Sequence, residues 1–169
     1  MSASAIISTL DEVVRGAMER LARVAGVVAP PLLRVALAVP FLKSGLTKWD
    51  GFLSLSPAAS YLFEDEFKLH LFGHAYGFPV PGLFAYLDGI AEIMLPLLLI
   101  VGLATRFSAL ALLVMTAVIQ VVVPDGWANF HLPWAGLAVA IMALGPGRLS
   151  LDHVAASLCR FRAPDGGRP

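Results

Sequence analysis

The chain has 169 residues, of which 58% are hydrophobic and 14% charged, with a mean hydropathy of +0.79. A soluble domain carries about 25% charged residues, and a protein this small exposes too much surface to do without a polar skin. Twelve Lys and Arg balance twelve Asp and Glu, so no global field gathers polyanions and nucleic acid is excluded as a partner. The single cysteine, Cys159, excludes an intramolecular disulfide and a Cys-x-x-Cys redox pair. The composition predicts an all-α integral membrane protein whose first partner is the lipid bilayer.

Residues 1–25 read as an amphipathic helix rather than a signal peptide. Ile6, Leu10, Val13, Val14, Met18, Leu21 and Val24 recur at helical spacing, while Asp11, Glu12, Arg15, Glu19, Arg20 and Arg23 are spread between them. Asp11–Arg15 and Glu19–Arg23 are i,i+4 pairs in the favourable order, and Thr9 with Glu12 has the spacing of a capping box. Two placements stay open for this helix: in the membrane interface, or packed on the other helices.

A membrane domain over residues 26–153 follows. A span needs about 20 apolar residues to cross roughly 30 Å of hydrocarbon, and four stretches qualify: about 26–48, 82–105, 107–123 and 130–147. They predict a four-helix bundle, since ten-residue alternating segments of a β-barrel are absent from the sequence. Gly145-Pro146-Gly147 stops the fourth span, and Ser150 caps a short helix with Leu151, Val154, Leu158 and Phe161 on its apolar side. Residues 154–169 read as the end of that helix and a disordered Gly/Pro-rich tail from Ala163 to Pro169.

Orientation follows from the basic residues. Arg15, Arg20, Arg23, Arg106, Arg148, Arg160, Arg162 and Arg168 fall on one side; Lys48, Lys68 and, just below the surface, Lys43 fall on the other. Eight against three predicts both termini in the cytoplasm of a bacterial-type plasma membrane. Trp49, Tyr61, Trp127 and Trp134 then sit near the outer interface.

Asp50–Pro81 is a 32-residue external connection, apolar for a loop and expected to hold one or two short helices. His70 and His74 are four apart and would share a helix face, with His131 at the outer mouth of the fourth span. Such a trio could ligate copper or zinc. The competing reading is three interfacial histidines with hydrogen-bonded rings, and Gly73 between the first two weakens any helix there.

Four ionisable groups lie within the spans: Arg34 and Lys43 on the first, Asp88 and Glu92 on the second. Each costs about 2.5–3.5 kcal/mol on insertion scales, which makes it a functional candidate. Counting depth along each helix pairs Arg34 with Glu92 and Asp88 with Lys43, or with Lys48 as the substitute, because Lys43 is about half a turn out of phase with Arg34. Gln120 is the one other strongly polar side chain deep enough to join. The charges serve either as structural glue that fixes helix register or as a proton or quinone-headgroup site.

At these residues the chain resembles the DoxX family of small four-helix membrane proteins. The shared features are Arg34, then Gly45-Leu46-Thr47-Lys48, then Glu92 and Gly102-Leu103-Ala104-Thr105-Arg106, then Gly145-Pro146-Gly147 and Ser150-Leu151-Asp152. Together they cover about residues 30–153. The resemblance implies the four-helix fold, and some members are linked to quinone-coupled sulfur oxidation or membrane oxidoreductase complexes. The paired cysteines of thiol-active relatives are missing here. His70-Leu71-Phe72-Gly73-His74, Pro124-Asp125-Gly126-Trp127 and His131-Leu132-Pro133-Trp134 look like a subgroup that accompanies small copper-binding modified peptides. The leading expectation is a non-catalytic accessory subunit of a redox or metal-handling system, with a membrane or periplasmic protein partner or a second copy of itself. The alternative is a quinone- or copper-binding oxidoreductase subunit.

Overall fold

The computed structural model describes residues 3–162, with side chains from Leu10 to Cys159. The capping box at Thr9 and the tail from Ala163 onward lie outside these limits. Helix α1 runs unbroken from Ala3 to Thr47 through Pro30, Pro31 and Pro40. The N-terminal amphipathic segment and the first span are therefore one 45-residue helix, where the sequence had suggested a boundary near residue 25. Two short antiparallel hairpins follow. β1 (Trp49–Gly51) pairs with β2 (Ser54–Leu55), and β3 (Leu69–Leu71) pairs with β4 (His74–Tyr76). Between the hairpins lie α2 (Pro57–Tyr61) and a π-helical turn, Leu62–Glu66. The remaining helices are α3 (Pro81–Val101), α4 (Thr105–Val122), α5 (Leu132–Leu144) and α6 (Leu151–Arg162). A 3₁₀ turn (Pro124–Gly126) and a π turn (Trp127–His131) lead into α5.

Four helical segments are long and apolar enough to cross a membrane: Leu10–Thr47, Pro81–Val101, Thr105–Val122 and Pro124–Leu144. They pack as a ring, α1 on α3, α3 on α4, α4 on α5 and α5 back on α1, so neighbours are antiparallel; α3 and α4 are joined by a short turn, α1 and α3 by the long connection over residues 48–80. Short turns enforce this order. Gly102 ends α3 in the left-handed conformation (φ 72°), and Leu103 N–H returns to the Leu98 carbonyl at 2.9 Å, a C-terminal cap of the glycine type. Ser56 caps α2 by accepting from Ala59 N–H at 3.2 Å.

The core is Leu37, Ala38, Phe41, Leu99, Ala109, Leu112, Ala138 and Ile141, contributed by all four helices of the ring. Two glycines let α3 approach α1 and the start of β1 closely. A Cβ on Gly45 would lie 2.9 Å from the Glu92 backbone, and one on Gly89 would lie 2.8 Å from the Trp49 ring. Pro96, buried in α3, has no N–H for the Glu92 carbonyl one turn back, so that carbonyl faces Gly45 free of its helical bond.

The connection over residues 50–81 carries helical turns as expected, but the hairpins are new. Phe72 (φ 51°) and Gly73 (φ 81°) both take positive φ, the two-residue turn whose twist suits an antiparallel pair. That turn, rather than a helix, occupies the stretch between His70 and His74.

Candidate functional site

The most polar buried cluster sits where α1 ends. Lys48 is the first residue after α1, and its ammonium reaches back between α1 and α3. It meets Asp88 at 2.8 Å, Ser44 Oγ at 3.4 Å, and Glu92 in a direct ion pair. An ammonium has three donors, and here all three are used. Asp88 and Glu92, four apart, share the α3 face that looks toward Lys48. The expected link between Asp88 and Lys48 is present, and Glu92 joins the same ammonium. Lys43 is exposed and outside the cluster, as its helical phase requires.

Arg34 does not pair with Glu92. Its side chain is fully buried at the end of the bundle where α3 stops and α6 starts, and it donates there to the carbonyls of Leu149 (2.5 Å), Pro30 (3.4 Å) and Ile100 (3.5 Å). Ile100 lies eight residues beyond Glu92 on α3, about 12 Å along the axis, beyond the reach of the guanidinium. Depth counted from the span ends placed Arg34 too near Glu92. The register is fixed instead by Gly45 against Glu92 and by Gly102, where any Cβ would collide with the Arg34 guanidinium.

The same end holds the terminal motif together. Asp152 accepts from the backbone N–H groups of Ala104 (2.8 Å) and Thr105 (2.9 Å), capping α4 from 47 and more residues away. Asp152 N–H donates to the Gly102 carbonyl at 2.9 Å. Ser150 Oγ accepts from His153 N–H (3.1 Å) and donates to the Gly147 carbonyl (2.7 Å), capping α6 as expected. Gly147 (φ 74°) leaves room for Pro30, and Gly145 (φ 79°) lies against Arg106, with Pro146 between them. Burial works against the Asp152 charge, but hydrogen bonds from Thr105 and Ala104 and the nearby Arg34 outweigh it and hold the carboxyl below the usual aspartate range. A lowered folded-state pKa contributes stability that is complete above the unfolded value, about 3.9, and fades as pH falls through the folded one. The thermal-midpoint gap between the natural protein and Asp152→Asn should therefore be constant near neutrality and close in acid. A gap unchanged in strong acid would remove Asp152 from this role.

The three histidines do not converge. His70 pairs with Ala75 and His74 with Leu71. Cross-strand partners share a face, so adjacent positions place the two rings on opposite sides of the ribbon. His70 Nδ1 contacts the Val121 carbonyl at 3.3 Å. His131 is buried, with Nδ1 2.6 Å from Gln120 Oε1, while Gln120 Nε2 donates to the Pro124 carbonyl at 3.0 Å. That orientation makes Oε1 the acceptor and puts the imidazole proton on Nδ1. Gln120 thus serves His131 rather than the charge cluster. Among the described residues no group of three His, Cys, Asp or Glu side chains is placed to hold a metal ion.

Beside the Lys48 cluster lies a cavity of about 730 Å³. α3 contributes Phe84, Leu87, Asp88, Ala91, Glu92 and Leu95, and α4 contributes an apolar wall from Phe107 to Val122. Phe41 and Trp134 close the back, with rings 5.1 Å apart. Phe63, Phe67 and Phe78 cover the loop end, and Phe63 touches both others at 5.2 and 5.4 Å. Sequence reasoning found the charges but missed these aromatics, whose only signal was the unusual apolarity of the connection.

Residues 29–125 match the family model described as DoxX. No curated protein and no solved structure matches the chain. The matched segment holds Arg34, Gly45, Lys48, Glu92 and Arg106, and the structure gives most of these a defined partner. With its four spanning helices, the chain is a multi-pass membrane protein that belongs to the DoxX family.

Proposed function

We propose that this protein binds a long apolar molecule with a polar head, of the isoprenoid-quinone type, between α3 and α4, as a membrane subunit of a redox system. The cavity with the ion cluster at one end carries this reading. Its volume lies within the roughly 300–1,000 Å³ range of small-molecule sites, which pair apolar walls with a few placed polar groups. Two carboxylates share one ammonium whose three donors are already used, so the cluster has an excess of acceptors and suits the reduced, quinol form of such a head group, whose hydroxyls donate hydrogen bonds. Asp88, Glu92 and Ser44 would hold the head, with Lys48 fixing the two carboxylates in place, and the α4 wall would hold the chain. A bound quinone would supply two-electron chemistry; the residues here supply binding, orientation and a dry setting. The histidines do not fit copper, and no copper role is proposed.

The Lys and Arg bias supports an orientation with both termini in the cytoplasm of a bacterial-type plasma membrane, which puts the head site toward the outer face. The accessory reading has its own support. Phe52 and Phe72, at the tips of the two hairpins, are 95% and 98% exposed, as large apolar side chains held for a protein or membrane partner would be.

The test is ligand retention. Gently solubilised protein should retain an added photoreactive ubiquinol analogue and label on α3 or α4. Ala111→Phe, which fills the cavity without touching the charges, should lower labelling about tenfold, the loss expected when about 1.4 kcal/mol of binding is removed. Equal labelling of both proteins would end the ligand reading and leave the accessory one.

A further inference from the structure

We infer that the first 25 or so residues of α1 fold outward at Pro30–Pro31 and lie on the bilayer surface, apolar side down. Residues 30–47 of α1 are about 27 Å long, close to the hydrocarbon thickness. Everything before them extends beyond the bundle, and every residue from Leu10 to Val28 except Gly16 is exposed. Leu10, Val14, Leu21 and Val24 are among these, each about 60% exposed. Apolar residues in such a row need a cover.

Helical phase identifies the cover. At about 100° per residue, Leu10, Val14, Ala17, Leu21, Val24 and Val28 fall within about 40° of one line. Leu32, Val35, Val39 and Leu46, exposed on the spanning part, fall on that same line. The stripe therefore continues the surface that α1 turns toward lipid. Pro30, Arg34, Leu37, Phe41, Gly45 and Lys48, which are buried against the bundle, lie on the other side. So do Arg15, Glu19 and Arg23, more than about 100° from the stripe. A helix tipped away from the bundle brings its lipid-side stripe down onto the membrane and keeps its charges in water. Tipping toward the bundle would do the reverse.

The hinge is built for that direction. Pro30 and Pro31 supply no N–H, so the carbonyls of Gly26 and Val27 lose their helical partners. Pro30 is on the bundle side, against Gly147. Its ring wedges against the preceding turn on that side, and a wedge there opens the helix away from the bundle. Gly26 has open space around it and adds freedom to the same turn. Asp11, Glu12 and Glu19 balance Arg15, Arg20 and Arg23, so the surface it fits is a zwitterionic lipid interface and not an anionic one.

The full-length protein in phosphatidylcholine vesicles tests this. In a Cys159→Ser background, an environment-sensitive fluorophore is attached at Leu21→Cys or at Glu19→Cys, and nitroxide-labelled lipid is the quencher. Quenching at position 21 should exceed that at position 19 several-fold and persist in high salt. Pro30→Ala with Pro31→Ala restores the two missing donors and should bring the two positions closer together. Equal quenching at 19 and 21 in the natural hinge would overturn the docking, as would a dependence on anionic lipid. Quenching indifferent to the double alanine variant would overturn the hinge. A label at 21 shielded from lipid quencher and held near its counterpart in a second copy would show that protein, not lipid, covers the stripe.

Discussion

Lys48→Met should be the most damaging single change in the bundle. It leaves Asp88 and Glu92 facing each other beside an apolar cavity, with their shared ammonium gone. Removing one partner of a buried ion pair costs about 3–5 kcal/mol, because the remaining charge stays desolvated without compensation. The variant should accumulate poorly and unfold at lower temperature in mild detergent. The two carboxylates are not equivalent. The Glu92 side chain is 5% exposed and that of Asp88 is 23% exposed, so water can still reach Asp88. Glu92→Gln added to Lys48→Met should therefore restore more stability than Asp88→Asn added to it. Lys43→Met, on the exposed side of α1, should change little. Greater recovery with Asp88→Asn, or equal damage from Lys43→Met, would contradict the arrangement.

The class of the protein was legible because hydrophobicity is a bulk property: four apolar runs in so short a chain leave little polar covering for any other fold. Lys48 with Asp88 was legible too, since both residues sit near one end of adjacent spans. Arg34 with Glu92 was not. A guanidinium and a carboxylate at similar nominal depth invite pairing, but the real partners of Arg34 are backbone carbonyls at chain reversals, and such acceptors have no letter in the sequence. Asp152 illustrates the same limit. Its capping partners at Ala104 and Thr105 are distant in the chain, and only the fold brings the two ends together. His70 and His74 show a period misread. Four residues is one helical turn, but it is also the step from the second strand position before a two-residue turn to the first position after it, and Gly73 was the residue that decided between them. The sequence divides an amphipathic segment from the first span near residue 25, yet one helix runs through both and through Pro30 and Pro31, with two backbone bonds missing there. A boundary in the sequence became a weak point in a continuous element. The cavity was the least legible feature, since it arises where aromatic side chains from the connection lean over a gap between two helices.

Arg34→Met should produce the second-largest loss, by a different route. Methionine fills much of the same volume and keeps the apolar stem packed, so the cost comes from lost charge-assisted hydrogen bonds rather than from an empty space. Hydrogen bonds to charged groups contribute about 1.5–3 kcal/mol each. The shortest of the three, to the Leu149 carbonyl, should dominate, and a loss of about 2–3 kcal/mol is expected. That bond ties α1 to the segment between α5 and α6, and the Ile100 contact ties it to the end of α3. Loss of Arg34 should therefore loosen the terminal end and leave the Lys48 cluster intact. Hydrogen exchange should rise around Gly102, Leu149 and α6 while Gly45 and Glu92 stay protected. Arg34 also stabilises the ionised Asp152 through its charge, so Asp152→Asn should cost less in the Arg34→Met background than in the natural one. Strictly additive losses would separate the two residues, since only groups that share a network couple in a double-mutant cycle. Exchange rising first at Gly45 and Glu92 would instead mean that Arg34 supports the Lys48 end, and the division of the bundle into two separately latched ends would fail.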